Sequence, residues 1–281
     1  MEKFSKTFRA PATRFHLDLE LLSPNFISED MNSVLTKIPN DIEIVDIFNA
    51  INPDKALGFD GMPASFYRHH CEIIAQDVLR MVKHFFIHTE LPQELNKNVS
   101  KLLENRLPNI LPKVVSSMQY AFVGGRVIQD NSMVVQEILH SMQTKRTKGG
   151  HFLLKLDLEK TFDFHDWKFL ETVLLKWGFH TTFVGWIIKC VTTSSFSLML
   201  NGSPFASLLS TRGLRQGDPL LPALFIIATN ILSRMLVRAK SDKNIIGIWV
   251  AHNAPIISHL FFMNYIILVG KASAKKAKGF S

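Results

Sequence analysis

Up to about Pro39 apolar and polar residues alternate without a sustained period, which predicts a loosely packed lead-in with one short helix. Asn40, with Glu43 three residues on, reads as an N-cap followed by a capping-box acid, and Ile44, Ile47, Phe48 and Ile51 fall on one helical stripe. Glycines and prolines from Asn52 to Pro63 force a loop, after which Phe66, Ile74, Val78, Met81 and Phe85 mark the buried side of a long helix over about 64–86. A polar stretch, Asn96 to Lys101, runs directly into helical Leu102 to Leu107, and Pro108 and Pro112 break the pattern. Gln119 to Arg126 is a short extended piece closed by a glycine turn, and Val134, Ile138 and Met142 give the next helical stripe.

The period then changes. Phe152, Leu154 and Leu156 alternate in the manner of a buried strand that ends in Asp157. His165-Asp166-Trp167 opens a helix that stops at Gly178, and a further helix covers about 181–191. Phe196, Leu198 and Leu200 lead into Asn201-Gly202, a strong hairpin signal, with Phe205 to Leu209 as the returning strand. A dibasic loop, Thr211 to Pro219, precedes an apolar helix over about 220–238, and Leu260 to Val269 reads as a last hairpin. Helices and antiparallel strands in this order predict an α+β fold. The strand through Asp157, the Asn201-Gly202 hairpin and the hairpin through Asn264 are expected to share one antiparallel sheet, packed on the helices after Phe164 and Pro219.

Composition adds a partner class. The 281 residues carry 32 Lys and Arg against 24 Asp and Glu, a net charge of +8, so polyanions are attracted, nucleic acid first among them. Cys71 and Cys190 form no zinc framework and fit a reducing compartment. Pro222, Asn230 and Arg234 interrupt the apolar run after Pro219, and the first fifteen residues lack a signal-peptide core, so neither a membrane span nor export is expected.

Several residues could carry chemistry, each with a plainer alternative. Asp157 is a metal ligand or the cap of the next helix. Lys55 meets a phosphate or is a solvated connector residue, and Arg126 contacts a backbone phosphate or is an exposed arginine after a turn. Lys145, Arg146 and Lys148 form a binding patch or complement a helix dipole. Arg212, Arg215 and Gln216 on a flexible backbone suit a nucleotide.

Taken together, Asn52-Pro53-Asp54-Lys55-Ala56, Ala121-Phe122-Val123, Leu154-Lys155-Leu156-Asp157, Asn201-Gly202, Arg212 to Leu220 (Arg-Gly-Leu-Arg-Gln-Gly-Asp-Pro-Leu) and Ile257 to Phe262 resemble the reverse transcriptase of LINE-type, non-LTR retrotransposons, plant ones notably. The resemblance implies a right-hand polymerase: an N-terminal extension over 1–39, partial and mostly helical fingers over 40–149, a palm over 150–270, a basic tail over 271–281, and no thumb. By the same resemblance Asp157 is the first metal-binding carboxylate, Leu158 offers its backbone carbonyl to that ion, and Phe162 is the steric gate under the sugar. Gln216 and Gly217 line the pocket of the incoming nucleotide, and Arg212 and Arg215 lie near the primer–template backbone. The cofactor is Mg²⁺ or Mn²⁺, and the partners are an RNA template and a DNA primer.

The chain departs from the family where the chemistry is done. Phe-Ala-Asp-Asp at the catalytic hairpin is replaced by Phe262-Met263-Asn264-Tyr265, so both partner aspartates are absent. Two-metal phosphoryl transfer holds ions about 3.5–4 Å apart with several carboxylates, and an amide with a phenol cannot supply that charge. A fingers segment that clamps the triphosphate is missing between Asn98 and Ser100. Leu57 and Phe59 stand where the family has prolines, Gly124 replaces another, and Phe164 stands where a basic residue is usual. The chain stops at Ser281 soon after that hairpin, so by this resemblance a thumb, a Cys/His knuckle and an endonuclease are expected to be missing. The expectation is a catalytically inactive reverse transcriptase domain that binds metal weakly; the alternatives are a nucleic-acid-binding remnant or a poorly folded product.

Overall fold

A computed structural model describes residues 26–50, 71–144, 150–158, 162–163, 165–193, 195–200, 203–251, 254–263 and 265–271. The chain packs as two compact units interleaved in sequence, one over Pro24–Ile110 and Phe162–Pro222, the other over Leu111–Thr161 and Ala223–Ser281.

The first unit is helical with one hairpin. Helix α1 (Glu29–Leu35) starts where Ser28 Oγ accepts the Met31 N–H at 3.3 Å, and Leu35 is fully buried. The lead-in is therefore anchored from Phe26 onward instead of loosely packed. Phe26 and Ile27 donate backbone N–H groups to Trp177 O, and the Asn32 carboxamide donates to Gly178 O at 2.7 Å while accepting from His180 N at 2.8 Å. These bonds join residues about 150 positions apart, so no local period announces them.

Asn40 Oδ1 accepts the Glu43 N–H at 2.8 Å and opens α2 (Asp41–Ala50), which buries Ile44 and Ile47 as expected. Helix α3 (Cys71–His88) buries Val82, Phe85 and Phe86, although Met81, expected on the buried side, is exposed. The start expected near residue 64 lies outside the described residues. Helix α4 (Asn96–Glu104) begins with the polar stretch itself, because Asn96, Asn98 and Ser100 face inward and are buried. Arg106 follows, with Nη1 donating to Leu35 O at 2.7 Å and the guanidinium 5.2 Å from the Phe86 ring centre.

Asp166 caps α7 (Trp167–Lys176), the helices between α4 and α7 being the second unit's short α5 (Leu111–Val114) and α6 (Ile128–Thr144). Gly178, at φ +90°, ends the turn after α7. Helix α8 (Thr181–Thr192) buries Phe183, Trp186, Ile187 and Cys190. The hairpin then forms as expected from β2 (Ser195–Leu200) and β3 (Ser203–Leu209), with a bulge at Leu198/Met199; its Asn201-Gly202 turn lies outside the described residues.

In the second unit β1 (His151–Asp157), β4 (His259–Phe261) and β5 (Tyr265–Lys271) make an antiparallel sheet of order β1-β5-β4. The single shared sheet expected from sequence is thus two sheets among the described residues, since β2 and β3 satisfy only each other's ladder. Helix α6 covers one face through Val134, Val135, Ile138 and Met142 against Leu153, Ile267 and Val269. Helix α9 (Leu221–Ser241) supplies Leu232 and Leu236 to the other face, against Phe261, Ile266 and Leu268. At the sheet edge Leu154 and Leu156 remain 45% and 39% exposed, so β1 is not the buried strand its alternation suggests: Phe152 and Leu158 pack against the Phe261, Ile266 and Leu268 cluster, and the strand's middle does not.

Helix α9 is long and apolar enough to cross a membrane by length and composition. Half of its most apolar window is nonetheless buried, and Asn230 accepts from Ser116 N at 2.9 Å while donating to Val114 O at 3.2 Å, which is the behaviour of a core helix.

Candidate functional site

The residues expected to carry chemistry divide between the two units. In the second unit β1 and β5 run in a register that pairs Asp157 with Tyr265, Lys155 with Ile267 and Leu153 with Val269. Paired residues in an antiparallel ladder project to the same face, so Asp157, Lys155 and Tyr265 share one. Asp157 is exposed. The Tyr265 ring stacks on Phe262 at 4.4 Å between centres and 15° between planes, and the Lys155 ammonium lies 4.3 Å from its centre. The backbone tightens the same corner, with Phe262 N donating to Tyr265 O at 3.0 Å. Leu158 turns its side chain into the cluster under Phe261, Ile266 and Leu268. Asn264, between them in sequence, lies outside the described residues. Among the described residues no three His, Cys, Asp or Glu side chains converge on a point where a metal ion could sit.

Arg126, also in the second unit, has a structural task. Its Nη1 donates to Ser116 O at 2.6 Å and to Gln119 O at 2.5 Å, and Nη2 reaches Val115 O at 3.5 Å. Three of its five N–H groups hold the 115–119 backbone, which leaves two for an anion. Burial lowers its pKa, and Tyr120 opposes the shift.

In the first unit the loop from Thr211 to Asp218 is stitched to the segment after β1. Gly213 N donates to His165 O and Leu214 N to Phe162 O, both at 2.7 Å, and Trp167 Nε1 donates to Gly213 O at 2.7 Å. Gly213 sits at φ +91°, and a Cβ there would come 2.8 Å from Asp163 O, so only glycine fits. Two expected nucleotide contacts, the Phe162 segment and the Gln216-Gly217 turn, are thereby parts of one sutured loop pair. Asp218 N bonds back to Arg215 O at 3.1 Å, with Gly217 at φ +83° in the turn; Gln216 and Gly217 are exposed, and Arg212 and Arg215 half-buried.

The anchor of this loop is a group that sequence reading did not single out for it. Asp218 Oδ1 accepts the Leu220 N–H at 2.9 Å at the entry to α9, and its Oδ2 lies 3.2 Å from Ser100 Oγ, itself 3.2 Å from Asn96 Oδ1. Asn96 Nδ2 donates to Cys190 O at 2.8 Å, so a buried polar chain ties α4, α8 and the loop together. Burial pushes the Asp218 carboxyl up, with the Leu220 N–H, Ser100, Arg215 and Lys97 opposing, and burial followed by the Asp218 charge pushes the Cys190 thiol up. The signal available in sequence was Asp218-Pro219 before an apolar helix, a helix-start pattern. Lys55, Lys145, Arg146, Lys148 and the tail after Lys271 lie outside the described residues.

Comparison with known proteins gives the family. Residues 87–266 match the family described as reverse transcriptase (RNA-dependent DNA polymerase). An uncharacterized mitochondrial protein of Arabidopsis thaliana is 47% identical over 64 residues, 23% of this chain and 52% of that protein. An uncharacterized 149 kDa protein of the transposon TX1 of Xenopus laevis is 28% identical over 204 residues, 62% of this chain and 15% of that protein. The chain thus spans about half the length of one relative and a small part of the other.

Proposed function

The chain belongs to the reverse transcriptase (RNA-dependent DNA polymerase) family, and from that premise we propose that it is a transposon-derived reverse transcriptase domain that no longer polymerises nucleotides. The observation that carries this is the β1–β5 register, which sets Tyr265 opposite Asp157. In our reading residues 40–149 correspond to fingers and 150–270 to palm, and Phe262-Met263-Asn264-Tyr265 stands where the family has its second pair of metal-binding carboxylates.

The family works with divalent metal, and the residues here do not fit that demand. One exposed carboxylate faces a phenol ring that already packs against Phe262 and the Lys155 ammonium, and a second fixed cation is a poor neighbour for Mg²⁺ or Mn²⁺. Phosphoryl transfer without such an ion loses the charge stabilisation its transition state needs, and a deficit of about 4 kcal/mol is roughly a thousandfold in rate.

What the chain retains is the means to hold nucleic acid. Arg212 and Arg215 lie on the sutured loop beside exposed Gln216, and the net charge of +8 favours an RNA or DNA backbone. Primer extension on an RNA template with Mg²⁺ or Mn²⁺ tests the reading: the purified chain incorporates nothing above background. Template-dependent incorporation that Asp157→Ala abolishes overturns it.

A further inference from the structure

We propose that His84 and His88 on α3 form a chelating site for a borderline divalent ion of the Zn²⁺, Ni²⁺ or Cu²⁺ class, independent of the polymerase reading. The two residues are four positions apart on the helix, hence on one face one turn apart. Their rings are in contact, 4.3 Å between centres with planes 38° apart, and both residues are exposed. Among the described residues neither imidazole has a hydrogen bond or ion pair, so all four ring nitrogens are open to solvent or to an ion. The imidazole torsion is broad, and a modest ring rotation turns one nitrogen of each ring to a common point.

The backbone beneath them is fixed. Val82, Phe85 and Phe86, from the same two turns, are buried, and the helix closes with Thr89 N donating to Phe85 O at 2.7 Å. A pair of ligands on a clamped turn needs little further ordering to bind. The local field also suits a cation. Both histidines lie at the C-terminal end of the helix, where the unpaired carbonyls carry partial negative charge, and exposed Glu90 follows two residues after His88. The nearest cations on the helix are already paired, Arg80 with Asp77 at 3.6 Å and Lys83 with Asp41. Two imidazoles select ions that prefer nitrogen and give nothing to Mg²⁺, which takes oxygen. They fill two of the four positions of tetrahedral Zn²⁺ and leave the others to water.

Titration of the full chain with Zn²⁺ alone, followed by calorimetry and by thermal unfolding, tests the site. The chain has eleven histidines, so the pattern among variants decides. His84→Ala, His88→Ala and the double variant are expected to weaken the tightest Zn²⁺ event equally, by about tenfold or more, since loss of even an outer-shell partner costs about that much. His140→Ala, an exposed histidine on α6, leaves it unchanged, as does excess Mg²⁺. Zn²⁺ raises the melting temperature of the wild type and not of the double variant. Equal affinity in wild type and double variant, or single variants that each keep wild-type affinity, overturns the proposal. Circular dichroism matching the wild type shows that the variants fold, and both side chains are exposed, so folding does not confound the result.

Discussion

Asp157 and Tyr265 are register partners across β1 and β5, on the face where the Tyr265 ring meets Phe262 and Lys155. A neutral phenol, which carries no charge for a hard ion such as Mg²⁺, is thus fixed beside the Asp157 carboxylate.

If the chain is inactive as proposed, restoring charge at this corner is expected not to give full polymerase function. Tyr265→Asp removes the aromatic stack and the ammonium contact and lowers stability by about 1–3 kcal/mol, read from urea unfolding. The pair Asn264→Asp with Tyr265→Asp is expected to fall short of full primer extension, because in our reading the fingers segment that would clamp the triphosphate, between Asn98 and Ser100, is a separate loss. Full turnover by the double variant would disprove this.

Gly213→Ala breaks the suture between the loop and the Phe162 segment. The added Cβ meets Asp163 O at 2.8 Å in a backbone held at φ +91°, and the strain costs about 1–3 kcal/mol. Gly217→Ala meets open space, so only the φ term remains and the loss is smaller. Equal denaturation midpoints for the two variants would contradict this assignment.

Stability falls in mild acid because of His259. Its Nε2 lies 2.9 Å from Ser233 Oγ and its Nδ1 3.0 Å from Ser258 Oγ, and burial, aided by the Lys240 charge, pushes its pKa down from 6.5 to about 4. The unfolded chain then takes up this proton more readily than the folded one. The contribution is fully kept above about pH 6.5 and lost as pH falls toward 4, and the loss reaches about 3 kcal/mol below that. His165, also lowered to about 4 by burial, adds a loss in the same window. His259→Gln flattens the profile; an unchanged acid limb in that variant would refute the attribution.

Nucleic-acid affinity is weak and salt-dependent. If Lys and Arg neutralise about four phosphates of a single strand, raising salt from about 50 to 200 mM weakens binding roughly fiftyfold. Fluorescence anisotropy with a labelled RNA measures this, and Arg212→Ala with Arg215→Ala reduces the salt slope. Binding that salt leaves unchanged would contradict a phosphate contact by Arg212 and Arg215.

Local chemistry made part of this legible. The Asn40 cap, the helix opened by Asp166 and the pairing of β2 with β3 all follow from signals within a few residues, and each forms as read. What escaped depends on distant partners. Nothing near Asn32 foretells its two bonds to the turn after α7, and nothing near Ser100 foretells Asp218, 118 residues away. The exposed middle of β1 escaped for a related reason, since alternation shows which residues share a face but not whether a helix reaches that far. Arg126 was read as a surface cation because its three carbonyl acceptors are set by a loop path that the sequence does not spell out.

The interleaving of the two units bears on how such a gene decays. Among the described residues the chain passes from one unit to the other three times, between 110 and 111, between 158 and 162, and between 222 and 223. No contiguous stretch of coding sequence therefore specifies either unit. A premature stop before residue 223 would delete β4, β5 and most of α9, leaving β1 without the strand that pairs it. A substitution at Tyr265 leaves every other β1–β5 register pair in the chain. Substitution and truncation are for this reason unequal events: the first keeps β5 in the chain to pair with β1, and the second takes it away.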